Sequence, residues 1–238
     1  MLARLQARYP VVITFLGSDI IGEGWNGWHD RLIGRTISKL ADADIVMSDE
    51  MARYVPSDRS NIIPFGVDTR LFYPQSLTTA RKSLGLPLKD KLVLFPWDPQ
   101  RQEKRYKTIL AAAEIINRHF PTRVLAIHNQ EHIALAKYMN ACDVLVLASE
   151  HEGSPMAVRE ALACNLPVVS VDVGDVATVI DNVDNCFIAA CDPEDIATKV
   201  RKVFNNGRRS NGYRKIKEMD AAWGAEKVYA IYERLLDR

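Results

Sequence analysis

The sequence predicts an α/β chain in two parts: an incomplete parallel-sheet domain at the amino end and a complete doubly wound domain after it. Three observations predict this. Short apolar runs alternate with longer amphipathic ones along the chain, as repeated strand-helix units of a parallel sheet covered on both faces do. One stretch, "YPQSLTTARKSLGLPLKDK", breaks the alternation with Pro74, Gly85, Pro87 and a run of polar residues. Only three strand candidates precede that break, whereas the part after about Lys91 holds a full set.

In order, "VVITF" is the first strand, "WHDRLIGRTISKLADA" a helix, and "DIVMS" and "NIIP" the next strands. "FGVDTRLF" is a turn with Phe72 packed beneath it. After the break come the strands "KLVLF", "RVLAI", "DVLVLA", "PVVSV" and "CFIA". Helical spacing marks "YKTILAAAEIINRHF", "HIALAKYMNA", "PMAVREALAC" and "PEDIATKVRKVFNN". In the first of these, Ile109, Ala112, Ala113, Ile116 and Phe120 form one apolar stripe. The closing "AEKVYAIYERLLDR" is amphipathic, with Val228, Ile231 and Leu235 on one side. The expected divisions are 1–84, 85–220 and a terminal helix over 221–238.

Composition excludes several classes. With 238 residues, 47% hydrophobic and 26% charged, the chain can bury a sizeable core and is not of the disordered type. Its 31 basic and 30 acidic residues leave a net charge of +1, which gives no general pull toward nucleic acid. Cys142, Cys164, Cys186 and Cys191 lack paired zinc or redox spacing, which fits a reducing cytoplasm, and Cys142 and Cys164 read as core-filling. No segment has the eighteen or so apolar residues of a membrane helix. "MLARLQARY" can touch the inner face of a membrane through Arg4 and Arg8, though a short exposed helix end is the simpler reading.

The chemistry concentrates in "SEHEGSPMAVREALACNLPVVSV". Its first residues follow a buried parallel strand, at the edge where open α/β sheets bind ligands. Ser154 suits the N-cap and Pro155 the first helical position, so the backbone amides there form an anion site, with Gly153 allowing close approach. Asn165 suits the left-handed residue that ends the helix. Glu160 lies opposite Val158, Ala161 and Leu162, away from the buried stripe, and Glu152 lies just before the helix. The two carboxylates can accept hydroxyl hydrogen bonds on either side of a phosphate, a pattern that a nucleotide sugar supplies. The plainer alternative makes Glu152 a partner of the helix dipole and Glu160 a solvated surface charge. "HNQEH" sets His128 and His132 at i, i+4, but without a correctly placed Glu or a third ligand, so metal binding is not expected.

The run "EGSPMAVREALACNLPVV" resembles the signature of family-4 retaining glycosyltransferases with the two-domain GT-B fold. The resemblance extends to "ADADIVMSDEM", "NIIPFGVDTRLFYP", "LFPWDPQRQEKRYKTILAA", "MNACDVLVLASEHEGSP" and "VVSVDVGDV". It implies a GT-B-like chain with a complete carboxyl-terminal domain and a Rossmann-like amino-terminal domain that lacks its first part. It also implies a UDP-, GDP- or ADP-sugar as substrate, with no cofactor and no metal. Glu152 would meet the sugar hydroxyls, the backbone of Gly153, Ser154, Pro155 and Met156 the sugar and diphosphate, and Glu160 the ribose. Arg101 and Lys104, just beyond "KLVLF", would stabilise charge on the departing diphosphate. Arg105 and Lys107 read as a solvated basic run. Apart from the resemblance, the loop after the strand "RVLAI" is placed to touch the base through its backbone or Asn129, and Gly17 would line the donor from the amino-terminal domain.

One departure from the pattern is Leu16, which stands where the family commonly has a His before Gly-Ser-Asp; a Leu neither donates nor accepts a hydrogen bond. The terminal helix would cross back to the first domain. Expected partners are the nucleotide sugar and a glycan, lipid or small-molecule acceptor. The rival reading is a non-catalytic or truncated sugar-nucleotide-binding protein that needs a partner chain or a homodimer. A third, a sugar-nucleotide epimerase, needs acid-base residues near the sugar that the sequence does not offer.

Overall fold

A computed structural model describes residues 9–21, 27–56 and 58–237, with Ser18, Ile21, Gly27 and Asp30 described by backbone alone. Arg4 and Arg8, and the membrane contact suggested for them, lie outside the described residues. The chain forms two compact units: residues up to Gly66 with Glu152–Ser154 and everything from Ala221, and Val67–His151 with Pro155–Asp220.

The first unit opens with β1 (Val12–Thr14), α1 (Ser18–Ile21), α2 (Gly27–Ser38), β2 (Ala43–Val46), α3 (Asp49–Ala52) and β3 (Ser60–Ile62). Its three strands run parallel in the order β1-β2-β3. Ser48 caps α3 by accepting from the Met51 amide, which turns the chain sharply at the end of β2. Phe15, Ile20, Ile45, Val46 and Met51 form the core.

The second unit begins with α4 (Leu77–Ser83), a helix inside the stretch read as an inter-domain break. That reading, and the 84/85 boundary with it, is corrected here. Arg81 is 2% exposed and donates to the carbonyls of Ala141, Pro87, Leu88 and Asp90 and to the Asp143 carboxylate, at 2.6–3.1 Å. A guanidinium so fully used ties α4 into the second unit, and the division falls between Gly66 and Val67.

Next come β4 (Lys91–Phe95), α5 (Tyr106–Asn117), β5 (Thr122–Ala126), α6 (His132–Ala141), β6 (Val144–Leu147), α7 (Met156–Ala163), β7 (Val168–Val171), α8 (Val176–Ile180), β8 (Phe187–Ala189), α9 (Pro193–Asn206) and α10 (Gly212–Lys217). The strands form one parallel sheet in the order β5-β4-β6-β7-β8. Alternation along each strand feeds two cores. Leu92, Leu94, Leu145 and Leu147 pack with α6 and α7, whereas Val93, Phe95, Val144 and Val146 pack with α5 and α9. The α9 helix starts on Asp192, which accepts from the Asp195 amide, with Pro193 next, and ends on Gly207 at φ 67°.

The last helix, α11 (Ala221–Leu236), belongs to the first unit and brings Ile231, Leu235 and Val228 to its core. No helix among the described residues is long and apolar enough to cross a membrane.

Candidate functional site

The order β5-β4-β6 reverses direction at β4, so the carboxyl ends of β4 and β6 flank a topological switch point. In open α/β sheets ligands bind in that crevice. Two of the segments singled out in the sequence leave the sheet here. After β4, residues 96–105 run into a short 3-10 turn, Gln102–Lys104; after β6, Ala148 and Ser149 are buried before the chain reaches α7. The Glu150 amide donates to the Glu103 carbonyl at 2.9 Å and joins the two segments.

Lys104 is buried, with its ammonium 5.3 Å from the centre of the Trp97 ring, and Trp97 stands edge-on to Phe95 at 5.4 Å. The aromatic face stabilises a desolvated cation and holds it at the end of β4. Arg101 is exposed and paired with Glu103 at 2.6 Å. A hydrogen bond from its own backbone amide, and then the Arg101 guanidinium, hold the Glu103 carboxyl below the usual range. Arg105 does not join a solvated basic run: it takes a left-handed conformation at φ 51° and bonds both Glu150 at 3.1 Å and the Cys191 sulfur at 2.8 Å. Lys107 is exposed.

The start of α7 differs from the expectation by one residue. Pro155, not Ser154, is the N-cap, with φ −70° and ψ 109°, and no side chain caps the helix. Proline has no amide hydrogen and no acceptor side chain, so Pro155 meets the first turn with its carbonyl alone, which accepts from the Val158 amide at 3.1 Å. Met156 is the first helical residue and is half-buried. Asn165 has φ 54°, as its place after the helix requires.

Glu160 requires the larger correction, because it is buried, with 5% of its surface exposed. Every residue from Val158 to Ala163 is buried, since α7 is covered by α10 as well as by the sheet. Burial raises the Glu160 carboxyl above its ordinary value, and only the charge of His132, at the start of α6, opposes it. A carboxylate so placed is stabilised on ionising only by donors that reach it, from water or from a ligand.

The remaining residues of the expected donor site fall elsewhere. Glu152, Gly153 and Ser154 belong to the first unit, as does Gly17. A Cβ at Gly153 would meet the Gly17 Cα at 3.1 Å and the Leu16 carbonyl at 3.2 Å, so any larger residue needs that backbone to give way by a few tenths of an ångström. Gly17 is buried at φ 140°, and the Asp19 carboxylate accepts from the Gly17 and Leu16 amides at 2.8–3.1 Å. The Leu16 side chain is 60% exposed. Asn129 is exposed at φ 54° in the loop between β5 and α6, at the carboxyl edge of the five-stranded sheet. Burial pushes the thiols of Cys142, Cys164 and Cys186 up to about 12, which leaves them unreactive.

Sequence reasoning missed Trp97 and Glu150. Trp97 carried a signal: an aromatic residue at a strand end, seven residues before a lysine. Glu150 carried none, since its part is played by its backbone and by Arg105.

The family model described as "Glycosyl transferases group 1" matches residues 110–220. Over that span, a little under half of the chain, the sequence is similar to this family. The fold agrees: sucrose-phosphate synthase from Thermosynechococcus elongatus superposes with a TM-score of 0.81 over 99% of this chain and 70% of its own, at 19% identity. Anabaena Alr3699/HepE in complex with UDP and glucose gives 0.80 over 98% and 74%, at 15% identity. The chain thus has the α/β architecture of GT-B glycosyltransferases. A curated relative, D-inositol 3-phosphate glycosyltransferase 2 of Catenulispora acidiphila, is 28% identical over 217 residues, which cover 76% of this chain and 49% of the relative. The chain spans about half the length of the curated relatives it matches.

Proposed function

We propose that this chain binds a nucleotide sugar in its second unit and acts as a retaining glycosyltransferase toward a glycan, lipid or small-molecule acceptor. The observation that carries the reading is Glu160: a carboxylate 5% exposed and raised by burial, on the helix that starts at the switch point. Ribose hydroxyls can donate to it. The first-turn amides of α7 and the helix dipole receive the diphosphate. Lys104 and Arg101 neutralise the charge that grows on it as the sugar leaves, Arg101 exchanging Glu103 for phosphate, without a metal or cofactor. Asn129 and its loop meet the base, and no side chain acts as a covalent nucleophile. UDP-glucose is the first donor to try, because HepE, of similar fold, is seen with UDP and glucose.

One observation favours a second reading, in which activity requires a partner chain. The α2 helix exposes Trp28 at 61%, Leu32 at 57% and Ile33 at 55%, an apolar face of the kind that marks an interaction surface.

Calorimetry with UDP-, GDP- and ADP-sugars tests the main reading. It predicts binding of one of them and its loss in Glu160→Ala; no heat from any donor overturns it. Mass in solution tests the second: a monomer that turns over donor contradicts it.

A further inference from the structure

We infer that the first unit holds a pocket for the apolar tail of the acceptor, an inference that rests on the glycosyltransferase reading above. A cavity of about 280 Å³ opens at the carboxyl ends of β1, β2 and β3 and is walled by α11. Ile45, Met47, Ile63 and Phe65 line it from the sheet side, and Gly224 and Ala225 from the helix. It lies within the first unit, at the sheet edge where α/β domains bind ligands.

The lining selects the ligand. None of the described residues around the cavity is charged, and one of them, Thr14, carries a side-chain hydroxyl. A sugar or phosphate seated here would lose its hydrogen bonds to water and regain few, whereas an alkyl or prenyl chain loses none. At the roughly 30 Å³ that one water takes up in the liquid, the volume holds about nine groups of that size.

The helix wall points the same way. Gly224 sits inside a 16-residue helix, where glycine weakens the helix relative to alanine. Packing does not demand it, because a Cβ there would meet nothing nearer than the Gly66 amide nitrogen at 3.8 Å. What the glycine preserves is open space.

Alkyl β-D-glucosides of six to twelve carbons, titrated below their micelle concentrations, test the pocket. Affinity is expected to rise about fourfold per added methylene and to level off near nine or ten carbons. Gly224→Leu and Ala225→Phe are each expected to weaken decyl glucoside at least tenfold while melting no lower than the parent protein. Absence of binding, affinity independent of chain length, or filled variants that bind like the parent would overturn the inference. UDP-glucose titrated into the same samples separates the two readings. Donor binding without alkyl binding removes the pocket alone, and alkyl binding without any nucleotide-sugar binding removes the assignment of the chain to an acceptor.

Discussion

Glu160 combines a cost and a use in one side chain. Its carboxyl is raised by burial, so ionisation costs more in the folded protein than in the unfolded chain, and stability present below the unfolded value is lost as pH rises through the folded one. Glu160→Gln removes that loss. It is expected to raise the melting temperature at pH 7 by about 2–4 °C, corresponding to about 1 kcal/mol, and to weaken nucleotide-sugar binding by at least about tenfold, since hydrogen bonds to a charged group contribute roughly 1.5–3 kcal/mol. Ribose hydroxyls need the ionised form, so in the parent protein donor affinity is expected to fall with acidification at a pH above the usual glutamate range, and in the variant to be flat there. A variant that loses stability and keeps affinity would assign Glu160 a purely structural part. Lys104→Met is expected to lower turnover about 100-fold or more, with a smaller change in donor affinity, measured by steady-state kinetics. The glutamate spacing that led to this site was legible in the sequence. The burial of Glu160 was not, because a one-sided stripe describes a helix covered on one side, and "AVREALAC" is covered on two.

At the scale of elements, α7 depends on residues far from it in sequence. Arg209 donates to the carbonyls of Met139 and Cys142 at the end of α6 and of Cys164 at the end of α7, and burial lowers its proton affinity. A cation there satisfies the last carbonyls of two helices and matches both dipoles. Arg209→Met leaves those groups buried without a donor and is expected to cost about 3 kcal/mol or more, read by urea denaturation. Gly212, in α10, lies so close to α7 that a Cβ would stand 2.7 Å from the Leu162 Cβ. Gly212→Ala is therefore expected to destabilise by about 1–3 kcal/mol. A melt unchanged by either substitution would contradict this packing. All eight strands among the described residues coincide with apolar runs read from the sequence, because short continuous runs between turn residues have few other uses. The helices α1, α3, α4, α8 and α10 were missed, since at four to seven residues each spans less than two turns and shows no period.

Across the whole molecule, the sequence placed the strands well and the division of the chain poorly. Pro74, Gly85 and Pro87 punctuate the stretch after β3, yet Arg81 within it is held by five oxygen atoms of the second unit. Punctuation marks where helices and strands stop, not which unit they join. The division matters for function because the proposed phosphate and ribose contacts, from Arg101, Lys104, Met156 and Glu160, all fall in the second unit, while Gly17 and Glu152–Ser154 fall in the first. Hydrogen exchange with saturating nucleotide sugar is expected to show added protection in residues 101–105 and 156–160 and none in β1, β2 or β3.

The central claim is that the switch point of the five-stranded sheet holds a nucleotide sugar. A crystal structure of the chain soaked with its calorimetrically identified donor tests it most directly. The account predicts the diphosphate at the start of α7 within reach of Lys104 and Arg101, and both ribose hydroxyls within about 3 Å of the Glu160 carboxylate. A donor bound elsewhere, or one whose ribose leaves Glu160 without a partner, would contradict it.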